Sequence, residues 1–114
     1  MSEKLHEVIK ILSGAFRKKF ADYKGMYLFG AYLDGNDHEE DDIELVALFD
    51  TQDKAKREEI WPIVGKVETE LEVSIDLYPY TDEEFKNDEE LYEEVQAEGV
   101  FYNPLGISKK FNVE

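Results

Sequence analysis

Met26-Tyr27-Leu28-Phe29-Gly30-Ala31-Tyr32-Leu33 and, after a polar stretch, Asp42-Ile43-Glu44-Leu45-Val46-Ala47-Leu48-Phe49 decide the fold. The first run is too apolar and aromatic for anything but a buried strand over 26–33. The second is apolar from Ile43 to Phe49 and reads as another strand. Between them Asp34-Gly35-Asn36-Asp37-His38-Glu39-Glu40-Asp41 is a polar loop, and so short a connection favours an antiparallel pair. Working outward, residues 2–21 carry Leu5, Val8, Ile9, Leu12, Ala15, Phe16 and Phe20 at helical spacing, with Ser2 as a candidate N-cap. Arg17, Lys18 and Lys19 fall where the helix dipole favours cations, and Gly25 punctuates the end. Downstream, Thr51 or Asp53 can cap a helix to about Leu71 that Pro62 should kink or restart. Val73–Tyr80 alternates as a third strand. Thr81 and Glu84 fit a capping box that opens an acidic helix to about Ala97. The order is α, β, β, α, β, α. It implies an α+β fold: a small mixed sheet of three to four strands with packed helices, in one domain spanning 1–114.

Composition narrows the function. Among 114 residues, 13 Lys and Arg face 28 Asp and Glu, a net charge of −15. That balance argues against direct nucleic-acid binding through phosphate neutralisation and against docking on an anionic membrane. It leaves room for one phosphorylated ligand held by metal and backbone groups. With no cysteine there is no disulfide framework and no thiolate nucleophile. His6 and His38 are too far apart in sequence to make a zinc site by themselves. Glu7 and Lys10 interrupt any secretory h-region, and no run is long enough to span a bilayer, so the expected compartment is the cytoplasm.

The chemistry resides in three acids set in strand sequence. Asp42 and Glu44, two residues apart, share one face of their strand, and Asp76 lies between Ile75 and Leu77 in the third. If those strands are neighbours, three carboxylates meet on one patch, where mutual repulsion is costly unless a cation neutralises it. Mg²⁺ suits hard oxygen ligands and substrate phosphates, and acids holding it against a nucleoside triphosphate are a solution to nucleotidyl transfer. Gly30 lets the backbone approach a ligand, and the amides around Gly30 and Ala31 can face a phosphate. A solvated strand edge is the plainer reading of Asp42 and Glu44 taken alone. Trp61 is expected in the core, as are Tyr27, Tyr32, Tyr78 and Tyr80 along the sheet, with His6 and His38 in solvent.

Leu28-Phe29-Gly30-Ala31, then Asp42-Ile43-Glu44-Leu45, then Ile75-Asp76-Leu77 resembles the minimal nucleotidyltransferase family of the polymerase-beta-like superfamily. The likeness spans 26–80 and extends more weakly to Glu98-Gly99-Val100 and Tyr102. It implies Asp42 and Glu44 as metal ligands, Asp76 as a third ligand or as base for an acceptor hydroxyl, and Gly30 and Ala31 under the triphosphate. The family's phosphate-binding hydroxyl residue falls on Ala31, and Asp34 stands where members often carry Arg or Lys. The resemblance implies a Mg²⁺-dependent enzyme that takes ATP or another nucleoside triphosphate and passes the nucleoside monophosphate to a hydroxyl, as toxin–antitoxin members do to a helical partner toxin. The alternative is a catalytically impaired, antitoxin-like binding module. Its acidic helix, with nine acids between Asp82 and Glu98 against Lys86, would engage a basic partner protein.

Overall fold

A computed structural model describes residues 3–34 and 41–109. Helix α1 (Glu3–Lys19) buries Leu5, Val8, Ile9, Leu12 and Phe16 and ends on the three cations its dipole favours. Strand β1 (Tyr23–Phe29) starts before the apolar run and stops earlier than its pattern suggested. Gly25, expected to punctuate, lies inside β1 at a positive φ of 122° where the pairing register shifts, so the chain bulges rather than ends. Beyond Phe29, Gly30 turns the chain out of the sheet and Ala31–Asp34 closes a short 3₁₀ helix. Tyr32 and Leu33 therefore leave the strand.

Strand β2 (Ile43–Phe49) pairs antiparallel with β1, as the short connection required. Helix α2 (Lys54–Leu71) is capped by Asp53, whose side chain accepts the Lys56 N–H at 2.8 Å. Thr51 instead donates to Asp22. Pro62 neither ends nor restarts α2. It sits with Glu58 and Glu59 on the exposed side, where water can take the carbonyl a proline leaves unpaired, while Ile60, Val64 and Val67 anchor the other side. Strand β3 (Ile75–Tyr80) then lies parallel to β2.

The Thr81 capping box forms as the spacing implied, with Thr81 Oγ1 accepting the Glu84 N–H at 3.1 Å and Glu84 Oε1 accepting the Thr81 N–H at 3.0 Å. The acidic helix is nevertheless two helices, α3 (Asp82–Asn87) and α4 (Glu89–Glu98), broken at Asp88 with φ −86° and ψ 79°. Short strands β4 (Val100–Tyr102) and β5 (Ser108–Lys109) complete a five-stranded mixed sheet in the order β3-β2-β1-β4-β5. The α+β class holds, with one two-residue edge strand more than the sequence suggested.

Alternation of side chains divides the core. On one face Met26, Leu28, Leu45, Ala47, Phe49 and Leu77 pack under α1 and α2. On the other, Phe29, Val46 and Leu48 pack under Phe85, Leu91 and Val95 of α3 and α4. Among the described residues no helix is long and apolar enough to cross a membrane.

Candidate functional site

Parallel pairing of β2 and β3 sets Glu44 directly opposite Asp76, and antiparallel pairing sets Phe29 on the other side of Glu44. Asp42 is two residues before Glu44, just ahead of the strand. The three acids thus collect where β2 and β3 begin and β1 ends, toward the face covered by α4. Ala31, Asp41, Asp42, Glu44 and Asp76 line a hollow of about 360 Å³ there.

The turn beside them is specific to glycine. Gly30 has φ 87°, and a Cβ at this position would overlap Glu44 Oε2. The Glu44 carboxylate accepts the Ala31 N–H, and Leu33 N–H closes the turn on the Gly30 carbonyl at 3.2 Å. The Tyr32 hydroxyl donates to the Asp41 carbonyl at 3.3 Å and so ties the turn to the approach to β2.

Electrostatics single out Glu44. Burial pushes its carboxyl above the usual carboxylate range, and Glu94, Asp76 and Asp42 push the same way, against the Ala31 N–H. Glu94 of α4 is a participant that sequence reasoning misses, since the sequence presents it as one of nine acids between Asp82 and Glu98. Its signal was the Leu91–Val95 pair, which fixes the buried side of α4 and leaves Glu94 next to it. Tyr78, two residues beyond Asp76, donates a long hydrogen bond of 3.4 Å to Asp76 Oδ2. Burial first, then Asp76, raises the Tyr78 phenol. Tyr80 donates to Asp88 Oδ2 at 2.7 Å, and burial together with that bond pushes it up to about 12.

All three acids are hard oxygen donors, and the charged groups that act on Glu44 among the described residues are all acids, which suits a divalent metal ion. Asp42, Glu44 and Asp76 are the residues that would hold it. Their carboxylates do not yet converge: among the described residues no group of three or more His, Asp or Glu closes on one point. The Glu44 carboxylate lies against the Gly30–Ala31 turn.

The chain belongs to the nucleotidyltransferase domain family. That family's model matches residues 9–102. The fold is also that of solved toxin–antitoxin structures. A crystal structure of a toxin-antitoxin MntA-HpeT double mutant is 25% identical with a TM-score of 0.58, covering 83% of this chain and 68% of that one. A toxin-antitoxin structure with AMP-PNP is 26% identical with a TM-score of 0.58, covering 82% and 68%. Another MntA-HpeT mutant is 25% identical with a TM-score of 0.56, covering 85% and 69%. No curated protein matches the chain. The nucleotidyltransferase domain described here therefore resembles MntA-type antitoxins.

Other residues singled out by the sequence lie elsewhere. Trp61 is 45% exposed on α2 and not in the core, because the helix turns Ile60 and Val64 inward instead. His6 is exposed on α1. Ser13, to which the sequence reading gives no role, is buried and hydrogen-bonded to the Tyr23 hydroxyl at 3.0 Å. His38, Asp37, Glu39, Glu40 and Gly35 fall outside the described residues, as do Ser2 and the tail from Lys110.

Proposed function

We propose that the chain is a nucleotidyltransferase of the antitoxin kind, using Mg²⁺ and a nucleoside triphosphate such as ATP to modify a hydroxyl of a partner protein. The observation that carries this reading is the meeting of Asp42, Glu44 and Asp76 at one sheet end beside the Gly30 turn. A divalent ion bound by these acids would neutralise charge on the reacting phosphates. Asp76 accepts the proton of the acceptor hydroxyl as its oxygen bonds the α-phosphorus and pyrophosphate leaves. Gly30 adds no side chain of its own between the backbone amides of the turn and a triphosphate, although the Glu44 carboxylate lies against that turn. The solved relatives support a protein partner and an adenine nucleotide, since they are toxin–antitoxin structures and one holds AMP-PNP.

The test is transfer of label from α-labelled ATP onto a co-purified partner. Asp42→Asn and Asp76→Asn should each cut transfer roughly 10²–10⁴-fold with the fold intact by circular dichroism. Retained transfer in both variants refutes the reading. A second reading, an association-only module, draws on Ala31, which offers no hydroxyl to a phosphate. It expects salt-sensitive partner capture through the acidic α3–α4 surface, unchanged by Asp76→Asn.

A further inference from the structure

We propose that Glu44 gates the phosphate-facing turn, releasing the Ala31 N–H to a triphosphate only when a divalent cation takes its carboxylate. The inference rests on the nucleotidyltransferase reading and adds an order of events to it: cation first, nucleotide second.

Three observations converge on this. Glu44 Oε2 occupies the space that the missing Gly30 side chain leaves open, so the carboxylate lies on the surface a phosphate would approach. The same carboxylate accepts the Ala31 N–H. Position 31 has no hydroxyl, so that N–H is the one hydrogen-bond donor this residue can offer, and it is already engaged. Third, the pairing register places Glu44 opposite Asp76, yet no three acids close on one point among the described residues. The turn and the acids thus compete for one carboxylate. Bonded to the amide, Glu44 blocks the anion twice, by its volume and by its charge. Drawn toward Asp42 and Asp76 by a cation, it gives up both. The surrounding acids, Asp42, Asp76 and Glu94, repel it in either position, so the cation supplies the pull.

The experiment follows the Ala31 amide by NMR in the ¹⁵N-labelled full chain. Mg²⁺ is titrated alone and then with a non-hydrolysable ATP analogue, while calorimetry measures ATP binding in chelator for wild type, Glu44→Ala and Glu44→Gln. The Ala31 amide proton should move upfield with Mg²⁺ alone. Metal-free ATP should bind Glu44→Ala about tenfold tighter than Glu44→Gln, because glutamine loses the charge but keeps an oxygen on the amide. An Ala31 resonance that stays still while those of Asp42 and Asp76 move, or equal affinity in the two variants, overturns the gate and leaves the metal site standing. Silence at Asp42 and Asp76 with both Mg²⁺ and nucleotide overturns the nucleotidyltransferase reading and the gate with it. Should Glu44→Ala fail to fold, the wild-type Ala31 titration decides alone.

Discussion

The two faces of the sheet are made by the same strands and differ in what they tolerate. Under α1 and α2, Phe16, Phe20, Tyr23 and Phe49 interlock with ring centroids 5.5–6.3 Å apart, and the buried Ser13 is hydrogen-bonded. Under α3 and α4 the alternation runs from Glu44 to Val46 and Leu48, and from Asp76 to Tyr78 and Tyr80. That face begins with acids, continues with phenols and becomes apolar only further along. One face is committed to stability, and the other gives up apolar burial at its end for charges that raise one another's energy. The difference separates residues that hold the sheet from residues that the sheet holds in place.

The largest effect should come from breaking the first face. Phe49→Ala removes the ring shared by Phe16, Phe20 and Tyr23 and should cost about 3–5 kcal/mol in denaturant unfolding. Phe85→Ala, on the short helix α3 and packed on Tyr27 and Tyr92, should cost toward about 3 kcal/mol, since so short a helix can settle into the space more freely. Equal costs would erase the distinction between the faces.

Acid titration sharpens the contrast through its sign. Glu44 has a raised carboxyl and therefore binds its proton more tightly folded than unfolded. Its destabilising charge is present at neutral pH and vanishes as pH falls through the raised value toward the ordinary 4.5. Asp22, on the α2 side, behaves oppositely. Burial raises its carboxyl, but the hydrogen bonds from Lys56 and Thr51 outweigh this and hold it below 3.8. Its contribution is full above 3.8 and is lost as pH falls through the lowered value. Unfolding curves should show Glu44→Gln more stable than wild type at neutral pH, with the advantage gone in acid. Asp22→Asn should be less stable at neutral pH, with the deficit closing in acid. The same sign for both would contradict the electrostatic account. Smallest of all, Thr81→Ala should cost about 1 kcal/mol through loss of the capping box that starts α3.

What could be read from the sequence follows the range of the forces involved. Period-2 and period-3.6 patterns and the Thr81–Glu84 cap are local, and they marked the elements. The acids at 42, 44 and 76 were visible because carboxylates inside apolar strands are costly. Their adjacency was conditional on β2 pairing with β3, a non-local event, and the register Glu44–Asp76 satisfies it. Gly25 misled because its local preference to interrupt was overruled by a bulge, and the second helix start that Pro62 offered does not occur because its exposed side of α2 tolerates an unpaired carbonyl. Trp61 misled because size alone does not fix which side of α2 faces inward. The Leu91–Val95 spacing marks the side of α4 that Glu94 borders, but the approach of Glu94 to Glu44 and the folding back of Glu44 depend on tertiary placement.

The central claim is that the acids beside the Gly30 turn form a working metal–nucleotide site, and calorimetric titration of ATP into the protein at saturating Mg²⁺ tests it most directly. The account predicts binding that requires Mg²⁺ and is lost in Asp42→Asn. No binding up to millimolar ATP, or equal binding by the variant, would contradict it.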